Sequence, residues 1–189
     1  MQKTNLLIAA ATALVVISGG TSVALLRQNA ILRQNVLALR METQVTMNVP
    51  LSELKGTGFS GEPLTLTLQK THLTKAQPTV LFVLSPECKF CAANWVNWHS
   101  LLKDSGAKSR WQPVFLDVGP LVNADYLQRH EIDKSTLFQT VSGDTKLNFR
   151  LYSTPETIIV DKTGRARGVW RGTLNAKQMT EIRTLLSQL

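Results

Sequence analysis

The chain has 189 residues, enough for one domain of ordinary size and an additional segment. Lys and Arg outnumber Asp and Glu by 21 to 13, a formal net charge of +8, but no basic stripe interleaved with aromatic residues predicts a nucleic-acid interface. Only two cysteines occur, which excludes a fold held together by several disulfide bonds.

The N-terminal segment is apolar, and residues 5–26 carry no charged side chain. Two interpretations compete. A cleaved signal peptide would have Lys3 before its apolar core and a cleavage site at residues 22–24. An uncleaved signal anchor would use the whole uncharged stretch, which is about long enough to span a bilayer as a helix. Leucines at 25, 32 and 39 continue at seven-residue intervals, which favours the anchor and a helical stalk.

We therefore predict a transmembrane signal anchor or signal peptide at residues 1–26, a helical stalk and linker at 27–58, and a folded domain at 59–189. Both interpretations place the folded domain outside the cytoplasm. Proline and glycine residues indicate a connector at 41–60.

The folded part alternates apolar segments of strand and helix length. Strands are predicted at 64–68, 79–84, 112–118, 137–141, 157–160 and 166–170, and helices at 88–103, 121–130, 145–151 and from Asn175 to the C-terminus. Trp95 and Trp98 lie on the apolar side of the first of these helices and are predicted to be packing residues. The alternation, followed by a hairpin turn at 161–164 and a last helix, indicates an α/β domain with a mixed sheet.

Both cysteines lie in the run Cys88-Lys89-Phe90-Cys91, directly after the continuous apolar strand at 79–84. This spacing lets the second thiol reach back to the first and close a small ring. A helix that begins at the pair presents free N–H groups and positive potential, which lower the pKa of the first thiol and make it a nucleophile. The motif therefore predicts redox chemistry on the thiols of other proteins.

Other uses of a Cys-x-x-Cys pair fit less well. A structural zinc site needs four ligands, and His72, His99 and His130 show no ligand spacing that would complete one. Haem attachment requires a histidine directly after the second cysteine, where Ala92 stands. A structural disulfide with so short a loop would restrain the unfolded chain little. We expect no metal site.

Thr154-Pro155 precedes the predicted strand at 157–160. A proline there can simply end the preceding segment. Beside a dithiol on a neighbouring strand end, however, we expect it to be cis, with its ring packed against the cysteines. Thr154 would then offer its backbone N–H and C=O to an extended peptide.

Together, the Cys88–Cys91 motif, Thr154-Pro155 and the strand-turn-strand at 158–170 resemble the thioredoxin superfamily. Within it, the chain is similar to the membrane-anchored periplasmic reductases of the TlpA and ResA type. The resemblance covers about residues 60–189. The interval between Cys88 and Pro155 matches the additional helix and strand of that group, at residues 121–141. The resemblance implies a thioredoxin-like fold, with a central mixed sheet flanked by helices.

The resemblance also implies roles for these residues. Cys88 is the attacking thiolate, Cys91 the resolving thiol, and Thr154 and Pro155 shape the substrate groove. No cofactor is implied beyond the redox-active disulfide Cys88–Cys91. The expected partners are thiols or disulfides of exported proteins, such as apocytochrome c or periplasmic enzyme precursors, and a membrane or periplasmic dithiol that donates electrons. The expected location is the bacterial inner membrane, single-pass, with the C-terminal domain in the periplasm or outside the cell.

The chain departs from the group at three positions. Glu87 replaces the usual tryptophan before the first cysteine, Asn94 replaces a glutamate, and Phe82 replaces a buried acid, so the usual acid–base residue is missing unless Glu87 serves. Lys89 and Glu87 are candidates for tuning the thiol pKa, with opposed effects. The aromatic Phe90 between the cysteines is similar to the residue found in the active-site motif of disulfide isomerases. A reductant is favoured; an oxidant or isomerase, or a noncatalytic binding module of a membrane maturation complex, are the alternatives.

Overall fold

The computed structural model describes residues 22, 25–34, 50–69, 77–104 and 110–189. The chain divides into two compact units, Met1–Gln44 and Val45–Leu189. In the first unit, residues 25–34 are helical, as the leucine interval predicts. Most of the predicted anchor, and residues 35–49 of the predicted stalk and linker, lie outside the described residues. The described helices include none with the length and apolar character needed to cross a membrane.

The second unit is built on a five-stranded mixed sheet with the order β5-β4-β3-β6-β7. β3, β4 and β5 are parallel, whereas β6 is antiparallel to both β3 and β7. A separate antiparallel hairpin consists of β1 and β2. The strands are β1 (Glu53–Thr57), β2 (Pro63–Thr67), β3 (Thr79–Leu84), β4 (Gln112–Asp117), β5 (Leu137–Phe138), β6 (Glu156–Val160) and β7 (Ala166–Arg171). The predicted α/β class with a central mixed sheet is confirmed.

The described helices of this unit are α1 (Lys89–Lys103), α2 (Ala124–Arg129), α3 (Gly143–Asn148) and α4 (Ala176–Gln188), with a 3₁₀ turn at Lys134–Thr136. α2 is shorter than predicted because the side chain of Asn123 caps it, accepting a hydrogen bond from the Tyr126 N–H. α4 begins with the predicted cap, Asn175, which forms a reciprocal capping box with Gln178. The interval at 121–141 thus supplies a helix and a short strand, as predicted.

Two apolar layers enclose the sheet. On one face, α1 and α4 pack against β3 through residues that include Phe82, Trp98 and Ile182. On the other face, the β1–β2 hairpin and the segment around α3 contribute residues that include Leu54 and Phe149. Every residue of β3 is buried, as its continuous apolar sequence predicts. Because both faces of the central strands are covered, the ends of the strands are where this sheet meets solvent.

Strand β1 corrects the prediction of a connector at 41–60. All of its residues pair with β2, and the Leu54 side chain is completely buried. The N–H of Thr57 also donates to the carbonyl oxygen of Gln139, at 2.8 Å, which ties the hairpin to the chain after β5. Leu54 is the one residue of β1 that is fully buried. The sequence of this strand therefore lacks the alternation of apolar and polar residues by which a strand is recognised. The packed structure therefore includes residues that precede position 59.

Candidate active site

Three chain segments meet at one edge of the central sheet. Because β3 and β4 are parallel and β6 is antiparallel to β3, the carboxyl ends of β3 and β4 lie beside the amino end of β6. The cysteine pair, which follows β3, is thereby placed next to Thr154 and Pro155, which precede β6. Cys88 Sγ lies 3.4 Å from the carbonyl oxygen of Thr154. The Thr154-Pro155 peptide bond is cis, as predicted.

Cys88 is the N-cap residue of α1. Its Sγ accepts a hydrogen bond from the backbone N–H of Cys91 at 3.2 Å, as a polar cap side chain does at a helix N-terminus. Partial burial raises the pKa of the Cys88 thiol, but hydrogen bonds from Cys91, Thr154 and the N–H of Phe90 outweigh burial, and the pKa lies below its ordinary value of 9.0. Cys88 is partly exposed and is therefore an accessible, activated thiol.

Cys91 occupies the opposite environment. It is 1% exposed and lies on the buried side of α1, within the apolar core. Burial, reinforced by its hydrogen bond to the Cys88 side chain, raises the pKa of the Cys91 thiol to about 12. The pair therefore consists of one accessible thiol with a lowered pKa and one buried thiol that holds its proton at neutral pH.

This difference predicts selective alkylation. In the reduced protein at about pH 7.5, iodoacetamide should modify Cys88 at least about 1000-fold faster than Cys91. The thiolate is the reacting form, and the pKa of Cys88 lies below its ordinary value of 9.0 whereas that of Cys91 is about 12. Peptide mapping by mass spectrometry after brief labelling measures the two rates. The unfolded protein, labelled in denaturant, is the control and should be modified at both positions. Equal labelling of both cysteines in the folded protein would contradict the assignment.

The loop before β6 is held in place by its own backbone. The carbonyl oxygen of Pro155 accepts a hydrogen bond from the Gly172 N–H at 2.8 Å, which ties the cis-proline to the end of β7. Pro155 is buried, and Thr154 is partly exposed beside Cys88. This places both predicted substrate-binding residues at the thiol. Their contact with a peptide substrate stays a prediction.

The remaining residues of the motif face solvent. Glu87 and Lys89 are exposed, and neither is among the groups that set the pKa of Cys88. Their proposed tuning of the thiol stays a prediction. Phe90 is 68% exposed and is therefore an apolar side chain that the motif presents to solvent.

Phe82 and Asn94, at the two positions where related reductases carry an acidic residue, are buried and have structural roles. Phe82 stacks on Phe115 with ring centroids 5.1 Å apart. Asn94 is completely buried, and its Oδ1 accepts hydrogen bonds from the Leu174 N–H at 2.9 Å and from Asn97. Asn94 therefore joins α1 to the segment before α4, and neither residue can exchange a proton with the thiols.

The tryptophans and the histidine of α1 have structural roles, as predicted. Trp98 is completely buried and donates from Nε1 to the Thr157 hydroxyl at 3.0 Å. Trp95 packs edge-on against it, with centroids 5.1 Å apart. The His99 ring donates from Nε2 to the carbonyl oxygen of His130 at 3.0 Å.

Sequence reasoning missed two buried carboxyl groups near this edge. Asp117 ends β4 and is 1% exposed. Glu156 directly follows the cis-proline and is completely buried. Its Oε1 accepts from Arg171 Nε at 3.1 Å, and its Oε2 has no hydrogen-bond partner among the residues that the structure describes. Burial raises the pKa of the Glu156 carboxyl from an ordinary 4.5 to about 7, although the charge of Arg171 acts in the opposite direction. The signal available in the sequence was an acidic residue at the end of an apolar strand.

Comparison by sequence finds no relatives: no protein-family model matches the chain, and no curated protein matches it. Comparison with solved structures finds many similar chains. A thiol:disulfide interchange protein DsbE from Chlorobium tepidum superposes with a TM-score of 0.57 at 14% identity, covering 76% of this chain and 98% of its own.

A thiol-disulfide isomerase from Corynebacterium glutamicum gives a TM-score of 0.55 at 18% identity, with 75% and 96% of the two chains covered. The exposed lipoprotein thioredoxin of Streptococcus pneumoniae gives a TM-score of 0.51 at 19% identity, covering 73% of this chain and 100% of its own. The chain therefore has the thioredoxin-like fold that the motifs predict.

Proposed function

We propose that this protein is a thiol–disulfide oxidoreductase that acts on other proteins through Cys88 and Cys91. The observation that carries the proposal is the unequal pair: a partly exposed thiol that caps α1, a buried thiol one helical turn away, and a cis-proline loop whose Thr154 oxygen lies 3.4 Å from Cys88 Sγ. The residues proposed as nucleophile, resolving thiol and peptide-binding backbone lie together at one edge of the sheet, which supports the proposal.

The chemistry is two thiol–disulfide exchanges. The Cys88 thiolate attacks one sulfur of a substrate disulfide; a Cys88–substrate bond forms, the substrate S–S bond breaks, and the second substrate sulfur leaves as a thiolate. Cys91 then loses its proton and attacks Cys88 Sγ, which forms the Cys88–Cys91 disulfide and releases the first substrate sulfur. The substrate gains two electrons, and the protein is oxidised by two.

We further propose that the protein is a reductant, tethered to the bacterial inner membrane by its N-terminal segment, with the domain in the periplasm or outside the cell. Its substrates would be exported proteins, and its electrons would come from a membrane or periplasmic dithiol. The uncharged stretch at 5–26 and the similarity to reductases of the TlpA and ResA type support this. The exposed Phe90 is the feature that favours the alternative, an oxidant or isomerase.

The reduction potential of the Cys88–Cys91 couple tests both the redox function and its direction. Full-length protein is equilibrated with thiol buffers, and tryptophan fluorescence reports the state of the pair, since Trp95 follows Cys91 by one helical turn. We expect a value near that of thioredoxin, about −270 mV. A variant with both cysteines replaced by serine is the control and should give no transition.

Two outcomes would overturn parts of the proposal. A potential of about −120 to −180 mV would identify an oxidant or isomerase and reverse the expected direction of electron flow. Failure of the wild-type pair to form an intramolecular disulfide in any of the buffers would overturn the redox function itself.

A further inference from the structure

A cleft of about 300 Å³ lies beside the proposed nucleophile, and we call it the side cleft. It is lined by the chain that follows β3, the chain that follows β4, helix α3 and the segment that leads into the cis-proline. The described residues of this lining are Ser85, Val118, Gly119, Lys146 and 151–154. Because the carbonyl oxygen of Thr154 lies 3.4 Å from Cys88 Sγ, one end of the side cleft is at the reactive sulfur.

Lys146 is the one charged side chain among the described residues that line the side cleft. It is partly buried, and no carboxylate of the described residues lies within ion-pair distance of its Nζ. A partly buried ammonium group without a counter-ion has lost part of its hydration and gained no ion pair in exchange. Lys146 is therefore a site to which an incoming carboxylate can bind.

The buried carboxyl of Asp117 does not fill this role. Burial raises the pKa of Asp117 and the charge of Lys146 acts in the opposite direction, so the two groups are within electrostatic range. The Asp117 oxygens, however, accept backbone hydrogen bonds from the Gly119 N–H at 3.0 Å and the Val122 N–H at 2.9 Å. Asp117 is also 1% exposed and does not line the side cleft. It attracts the lysine at longer range and leaves the ammonium protons available to a ligand.

The place of Lys146 in the chain sets how far from the thiol a bound carboxylate would lie. The carbonyl oxygen of Lys146 accepts a hydrogen bond from the Leu151 N–H at 2.9 Å. Leu151 precedes Thr154 by three residues, a span of at most about 11 Å. An extended substrate that follows the same segment covers this distance in about three residues. The carboxylate is therefore expected about two to four residues from the cysteine that Cys88 attacks.

The surroundings of Lys146 favour a polypeptide over a small anion. Tyr152 is exposed and lines the side cleft. Leu147, which directly follows Lys146 on α3, is also exposed. Exposed apolar side chains grouped with a polar contact are typical of surfaces that bind proteins.

We propose that Lys146 selects substrates: the side cleft binds polypeptides that carry an aspartate or glutamate about two to four residues from the disulfide cysteine. The acidic side chain pairs with the Lys146 ammonium group while the substrate sulfur meets Cys88. A bond forms between Cys88 Sγ and that sulfur, the substrate S–S bond breaks, and the second substrate sulfur leaves as a thiolate. The inference rests on the proposed redox function and adds the class of substrate.

Matched peptides measure this selection. Each has one cysteine disulfide-bonded to a chromogenic aromatic thiol and carries either Glu or Gln at one position, about two to four residues before or after the cysteine. Reduced full-length protein is mixed with each peptide in a stopped-flow instrument, and release of the coloured thiolate reports the attack by Cys88. At low salt we expect the Glu peptide to react at least about 3-fold faster than its Gln counterpart at one or more positions. The ratio should approach one at about 1 M salt, which screens the ion pair.

Variants connect the preference to this side chain. Lys146→Gln should react with both peptides at the rate that the wild type shows with the Gln peptide, and Lys146→Arg should keep the preference. Lys146→Glu should reverse it, so that a peptide with Lys at the same position reacts faster than its Gln counterpart, a gain that a misfolded protein cannot produce. Lys177→Gln is the matched control, because it removes the same charge from an exposed lysine of α4. It should keep the wild-type ratio.

Three results would overturn the proposal. The first is equal wild-type rates with the Glu and Gln peptides at every position, as expected if Lys146 only compensates the C-terminal end of α3. The second is an equal loss of preference in Lys146→Gln and Lys177→Gln, which would trace the preference to the overall charge of the chain. The third is a preference that Lys146→Gln leaves unchanged. A wild-type protein that releases the coloured thiolate from none of the peptides would instead refute the proposed redox function.

Discussion

Cys88→Ser should abolish protein-disulfide reduction, lowering its rate by at least about 1000-fold. The physical reason is that Cys88 is the thiol that combines exposure with a lowered pKa. Cys91 cannot replace it, because it is 1% exposed and its thiol retains the proton up to a pKa of about 12. The rate is measured as reduction of a disulfide-bonded model protein, with a small dithiol as electron source.

Cys91→Ser is the matched variant, since it removes the other sulfur of the pair at similar volume. We expect it to carry out the first exchange and then stop, so that a covalent adduct between Cys88 and the substrate accumulates and is seen on non-reducing gels. In an exporting cell the same variant should retain its natural partners. Turnover by Cys88→Ser comparable to that of wild type would contradict the assignment of the nucleophile.

The double variant Cys88→Ser, Cys91→Ser distinguishes the noncatalytic alternative. If this variant restores the cellular function of a deletion strain, the domain acts as a binding platform and the dithiol is dispensable. If it fails while folding normally, the redox chemistry is required. Folding is checked by comparing its urea unfolding curve with that of the reduced wild-type protein.

Glu156 should make the folded state less stable as pH rises. Its folded-state pKa is about 7 against an ordinary 4.5, so between these values the native protein holds a proton that the unfolded chain has lost. The free energy of unfolding therefore falls through this interval, by about 3 kcal/mol for one group in total. Below about pH 4.5, Glu156 does not change the free energy of unfolding with pH, because its carboxyl group is protonated in both the folded and the unfolded state.

The measurement is the stability of Glu156→Gln minus that of the wild type, from urea unfolding of the reduced full-length proteins at several pH values. The difference should increase by about 3 kcal/mol from pH 4.5 to pH 8. The wild-type curve alone is not diagnostic: burial and His99 lower the pKa of His130 to about 4, which gives a contribution that rises with pH in part of the same range.

Glu62→Gln is the control for this experiment, because Glu62 is exposed on the turn of the β1–β2 hairpin. Its curve should stay parallel to that of the wild type. A difference between Glu156→Gln and wild type that does not change with pH would show that Glu156 is ionised throughout the range, with its charge neutralised by Arg171.

The amino-acid sequence by itself determined the features that depend on neighbouring residues. The continuous apolar run at 79–84 identified a strand covered on both faces, and β3 is buried along its whole length. The Cys-x-x-Cys spacing after it identified a dithiol at the start of a helix, and Cys88 caps α1. Threonine and proline before a strand identified the cis bond at Thr154-Pro155. Each depends on local spacing, which the sequence shows directly.

Only the tertiary structure decided which distant groups lie near the edge of the sheet that carries the thiols. Glu156 and Asp117 are 39 positions apart in the chain, and strand order and pairing place both carboxyl groups near one edge. Burial raises the pKa of both carboxyl groups. β1 was missed for the same reason: its five residues are a strand because β2 pairs with them. Such properties arise from contacts between segments that are remote in the chain, so no local sequence pattern predicts them.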